Sequence, residues 1–94
     1  MKAKLKIEVD EAVREREQLI RRAISDLIRN ERRKQLSILT QEKLASLADI
    51  SFEHLNHIEN YKSTASVEVL DRIARALGFP RVSEFLANDE HKIL

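Results

Sequence analysis

"TQEKLASLADISFEHLNHIEN", Thr40 to Asn60, is the stretch on which the fold turns. It contains two short runs with the apolar spacing of helices. Leu44, Leu47 and Ala48 are expected inward on the first, and Leu55 and Ile58 on the second. Each run follows a hydroxyl residue able to accept from the free N–H groups of a helix start: Thr40 before "QEKLASLA", Ser51 before "FEHLNHIEN". The link, "ADIS", Ala48 to Ser51, is a short turn. Asp49 within it tolerates left-handed backbone, though less readily than glycine.

Working outward, Ser66 precedes "VEVLDRIARAL", which places Val67, Leu70, Ile73, Ala74 and Leu77 on one face. Gly78 follows where a left-handed helix end needs no side chain. Pro80 stops further helix, and "VSEFLA" reads as a last turn or two. On the other side, Ala12, Val13, Leu19, Ile20, Ala23, Ile24, Leu27 and Ile28 recur at three- and four-residue steps. They predict a long helix over about 10–35, with Asp10 as its cap and Glu11 in its first turn. That apolar stripe leaves two readings open: burial within one subunit, or a helix–helix contact in a dimer. "KAKLKIEV", residues 2–9, alternates charged and apolar residues. It reads either as a disordered arm or as a strand that pairs with its copy in a dimer. Residues 89–94 are expected to fray.

The 94 residues suit one small domain. One Gly, one Pro and few β-branched runs point to an all-α fold. Net charge is +1 but uneven: 11 basic and 7 acidic residues in 1–37 give +4, and 6 and 9 in 38–94 give −3. A nucleic-acid surface must therefore be local rather than a whole-molecule field. The chain has no Cys, which excludes disulfides and thiolate metal sites and fits the cytoplasm. No apolar run approaches the ~20 residues of a membrane span, and the N-terminus lacks the apolar stretch of a secretion signal, so no membrane association is expected. Nucleophile and phosphate-loop motifs are also missing, so the chain reads as a non-enzyme without a cofactor. His54 and His57 stand three apart beside Glu53, but no third and fourth ligand completes a metal site.

Two short helices joined by a tight turn describe a helix-turn-helix, whose second helix enters the major groove of DNA. The ordered pieces "TQEKLA", "ADIS", "HIEN", "SVEVLDRIARALG" and "VSEFL", with "IRNERRK" before them, resemble the lambda-repressor-like family of phage-repressor and XRE-type DNA-binding domains. The resemblance covers about residues 23–87 and is close to small controller and antitoxin-type regulators. It implies a five-helix domain over 23–88, an extension over 1–22 made of an arm and the start of the long helix, and a tail over 89–94.

The resemblance also implies roles. Phe52, Glu53 and His57 match base-facing positions of the recognition helix, and Asn56 lies on the same side. Gln41 matches a phosphate-binding position, which a helix N-terminus favours. Lys62 and Ser63 follow the recognition helix where the family touches the backbone, and Arg33 stands in a basic run, Arg29, Arg32, Arg33 and Lys34, that suits phosphate. Arg32 and Glu59 match a partly buried salt bridge. The chain departs from the family at Asp49 and Tyr61, where many members carry Gly, and in a first connection about two residues longer. A bulky residue at position 61 disfavours positive φ, so the turn there is expected to be rebuilt. Glu53 is repelled by phosphate but can accept from cytosine N4, and Phe52 can touch a thymine methyl.

The implied function is a sequence-specific transcriptional regulator, a repressor or autoregulator, that binds a near-palindromic double-stranded DNA operator as a homodimer. The alternative is a protein-interaction module or antitoxin component that uses the same scaffold to bind a protein such as a toxin.

Overall fold

A computed structural model of the chain describes the backbone of residues 2–35 and 38–88, and the side chains of residues 10–35 and 38–88. The tail expected over 89–94 lies outside the described residues. Within them are five helices and no strand: α1 (Lys2–Arg33), α2 (Gln41–Ala48), α3 (Phe52–Glu59), α4 (Val67–Ala76) and α5 (Val82–Ala87).

Residues 2–9 are the first turns of α1, which corrects the strand or arm expected there. Ala, Leu, Lys and Glu are good helix formers. A lone strand would leave its ladder groups unpaired, whereas a helix satisfies them within itself. Asp10 is consequently inside the helix rather than at its cap. Arg32 and Arg33 close α1 where the helix dipole favours cations.

The short helices start as their sequences require. Thr40, Ser51 and Ser66 sit in extended backbone, and their hydroxyls accept from the N–H of Lys43, His54 and Val69. Three helices also end alike, each followed by a residue with positive φ. After α2 it is Asp49 (φ 56°), after α3 Tyr61 (φ 66°) and after α4 Gly78 (φ 98°). In each case the left-handed residue's N–H bonds a carbonyl three residues back and the next N–H reaches five back, as Ile50 N–H to Ala45 O (3.0 Å), Lys62 N–H to His57 O (2.8 Å) and Phe79 N–H to Ala74 O (2.9 Å). The turn at Tyr61 is thus the ordinary left-handed helix end, not a rebuilt one. At Gly78 a Cβ would meet nothing within 4 Å, so only the backbone angle favours glycine there.

The core gathers Leu27 and Ile28 of α1, Leu44, Ala45 and Ala48 of α2, Leu55 and Ile58 of α3, and Leu70, Ile73 and Ala74 of α4. Phe85 of α5 is fully buried and meets Phe79 edge-on at 5.3 Å. α2 packs on α3 and α4, α1 on α3, and α4 on α5. Two expected core residues are outside it: Leu47 is 61% exposed and Val67 73%. The inward arc of α2 is centred on positions 44, 45 and 48, and that of α4 on 69, 70, 73, 74 and 77. Leu47 and Val67 fall beyond the edges of those arcs. Ala12, Val13, Leu19 and Ile20 are exposed as well, so burial within one subunit does not cover the first half of the α1 stripe.

Candidate nucleic-acid interface

α2, the turn at Asp49 to Ser51, and α3 form the helix-turn-helix. Arg72 of α4 fastens the turn by donating to the Asp49 carbonyl (3.4 Å). Its guanidinium also lies 3.8 Å from the Asp49 carboxylate, a weak exposed pair.

α3 is held from below by one carboxylate. Glu59 is 1% exposed. Arg32 of α1 grips it with both arms of its fork, Nε to Oε2 at 2.8 Å and Nη2 to Oε1 at 2.9 Å. Arg32 also donates to the carbonyl of Leu39 (3.0 Å), which ties down the connection into α2. Gln41, at the start of α2, donates to Glu59 Oε1 (2.9 Å), and its own Oε1 accepts from Asn56 Nδ2 (3.0 Å). Only that orientation of the Gln41 amide satisfies both neighbours. α1, α2 and α3 therefore share one buried charged group, and its partners meet the cost of its desolvation.

This network revises how two site residues can act. Gln41 and Asn56 were read as facing phosphate and base, and their side chains are instead joined to each other. Each keeps one amide N–H for a ligand. The backbone N–H groups of Gln41 and Glu42, which the Thr40 cap does not use, also remain suited to an anion. Phe52 and Glu53 are exposed and His57 is partly exposed. With Asn56 they make one outward arc, opposite Leu55, Ile58 and Glu59. Arg33 is exposed at the end of α1 and has no ion pair with another described residue. Lys62 is exposed and Ser63 partly so, directly after the left-handed turn. No described contact brings Arg33 to α3.

The residues that sequence reasoning missed surround Tyr61. Its hydroxyl donates to Asp26 Oδ1 and accepts from Arg29 Nη2 (3.1 Å). The guanidinium of Arg22 lies 5.3 Å from the ring centre and that of Arg29 5.7 Å. Arg29 also pairs with Asp26 (2.6 Å) and donates to the backbone carbonyl of Glu59 (3.1 Å), near the end of α3. The Arg29 guanidinium is held above its ordinary value, first by the hydrogen bond to Tyr61, against the opposing effect of burial, and then by the negative charges of Asp26 and Glu59. It stays a cation throughout. These contacts offset the strain of a tyrosine at positive φ and bind the loop carrying Lys62 and Ser63 to α1. The available signal was the pair Asp26 and Arg29, one turn apart with opposite charges, at the level where a polar partner was needed.

A family model described as "Helix-turn-helix" matches residues 28–82, more than half of the chain. No curated protein and no solved structure matches. The matched span runs from the last turns of α1 to the start of α5 and contains every residue of the network around Glu59.

Proposed function

Since the chain belongs to the lambda-repressor-like, XRE-type helix-turn-helix family of DNA-binding regulators, we propose that it binds a near-palindromic operator as a homodimer, as a repressor or autoregulator. Two copies of α3 enter successive major grooves about one helical turn apart. The carrying observation is the division of α3 into two sides. Leu55, Ile58 and Glu59 are buried and bound to the domain, Phe52 and Glu53 are exposed and His57 partly so, and Asn56 lies beside them with its side chain partly tied to Gln41. A helix anchored on one side by a buried salt bridge presents the other at a defined angle, and base reading requires that. Glu53 accepts from cytosine N4 and Phe52 meets a thymine methyl. Arg33, Lys62, Ser63 and the N-terminal amides of α2 hold phosphates. They supply affinity without sequence.

The test is selection from randomised duplex DNA, with a gel shift on DNA flanking the gene at two salt concentrations. Wild type is expected to select a sequence and to weaken as salt rises. Substituting Phe52, Glu53 and His57 by Ala changes the selected bases, with about 1–3 kcal/mol of discrimination lost per contact. Arg33→Ala and Lys62→Ala weaken all sequences alike and lower the salt slope by about one each. An unchanged preference after the first set refutes the assignment of the reading side. Absence of binding at low salt refutes the DNA reading and favours a protein partner for the same exposed side of α3.

A further inference from the structure

The middle of α1 borders the loop that leaves α3. A cleft of about 160 Å³ there is lined by Gln18, Arg21 and Arg22 of α1 and by Tyr61. Arg21 also faces Ser63 and Thr64 of the same loop across a narrower gap. The Arg22 guanidinium is held 5.3 Å from the Tyr61 ring centre. Stacking of this kind orients the group and leaves its N–H donors free. Gln18, Arg21 and Arg22 precede residues 28–82, the span matched by the family model, so membership of the family assigns them no role.

The charges around this cleft do not balance. Arg21, Arg22 and Arg29 stand at Tyr61 and its loop with one carboxylate, Asp26, among them. Asp26 is already bonded by Arg29 (2.6 Å) and by the Tyr61 hydroxyl. Among the described residues, neither Arg21 nor Arg22 has an ion pair, and both are exposed. Lys62 adds a further exposed cation in the same loop. At about 100° per residue, Glu17 is turned off the cleft side of α1, whereas Glu15 and Glu11 fall on that side, one and two turns nearer the N-terminus. They end the cationic surface there, so an anion is favoured at the loop end of the cleft and not along the rest of α1. Two guanidinium forks beside an amide suit the oxygens of a phosphate.

We infer that Gln18, Arg21 and Arg22 clamp a backbone phosphate of the DNA that α3 reads. The inference deepens the proposed DNA binding and rests on that reading. A free phosphate ion has the same chemistry, and position is what favours the DNA strand. A helix in the major groove has sugar–phosphate backbone at both groove edges, and the chain leaves α3 through Tyr61, Lys62 and Ser63. A strand that meets Lys62 and Ser63 presents its next phosphate to the adjoining cleft, because charges follow one another along a strand every ~3.4 Å of axis. The contact adds affinity and orientation without reading sequence.

The test compares Arg21→Gln in the full-length protein with Arg16→Gln, the same loss of charge on the far side of α1. Both positions are exposed, so the fold tolerates the changes. Each protein is titrated against the duplexes that wild type selects, over a range of salt. Arg21→Gln is expected to weaken all duplexes alike, by about tenfold near ~0.1 M salt, and to lower the salt slope by about one. Arg21→Lys recovers most of the loss, and Arg16→Gln binds as wild type does. Phosphate ethylation interference is expected to lose one position in Arg21→Gln, beside the position lost in Lys62→Ala. Equal weakening by Arg16→Gln means a general loss of charge and overturns the clamp. Wild-type affinity and slope in Arg21→Gln overturn it while leaving the DNA reading standing. In that case, saturable shifts of the residue 18–22 amides on adding inorganic phosphate would assign the cleft to a free anion. Absence of DNA binding by wild type at low salt overturns both.

Discussion

The two halves of α1 share one helix, one period and the same apolar residue types. Ser25, Leu27, Ile28 and Glu31 in the second half are buried, whereas all of Asp10 to Arg22 in the first is exposed. The difference lies in what stands beside them. The second half meets α3 and carries Arg32 to the Glu59 carboxylate. The first half extends past the domain and ends its contacts at Tyr61, where Arg22 and Arg29 flank the ring from either half. An apolar stripe thus measures how much surface needs covering. It does not say which surface covers it.

The strongest challenge to this contrast is at Arg32. Arg32→Ala leaves a buried carboxylate without its main partner and is expected to cost about 3–5 kcal/mol in urea denaturation, a large part of the stability of a domain this size. Arg32→Lys recovers only part, because an ammonium has no fork. A loss below 1 kcal/mol in the alanine variant would mean that Glu59 does not organise the three helices.

A sharper comparison sets two isoleucines of the same stripe against each other. Ile28→Ala is expected to cost about 2–5 kcal/mol by leaving a cavity. Ile20→Ala, measured at protein concentrations too low for association, is expected to cost about 0.5 kcal/mol or less. Equal losses would show that the first half of α1 is packed within the subunit after all.

A smaller contrast than that between the two isoleucines belongs to the junction of the halves. Tyr61→Ala and Tyr61→Gly both remove the ring and hydroxyl contacts, but only glycine also relieves the positive φ. The glycine variant is expected to be more stable than the alanine variant by about 1–2 kcal/mol. Equal thermal midpoints would argue against a left-handed turn at Tyr61.

Much of the architecture was legible because it is local. Thr40, Ser51 and Ser66 each cap an N–H three residues on, a distance that sequence spacing alone specifies. Gly78 and Asp49 announced their turns by residue type. Residues 2–9 misled because alternating Lys and apolar residues suit a strand by pattern and a helix by propensity, and the pattern has no partner to pair with. The site was less legible than the fold. Gln41, Asn56 and Glu59 join across 15 to 18 residues, and Tyr61 reaches Arg29 across 32.

What the chain determined by itself, then, was the helices, their caps and the family-like order of motifs. Each follows from hydrogen bonds and periods that close within a few residues. Tertiary structure alone decided which polar side chains remain available for DNA. Gln41 and Asn56 are partly committed inward because the Glu59 carboxylate must be satisfied where it is buried, and Tyr61 holds a strained angle because Asp26, Arg22 and Arg29 surround it. Those outcomes depend on groups brought together from distant positions, and pairing energy inside a packed domain, rather than residue type, sets which of them face outward.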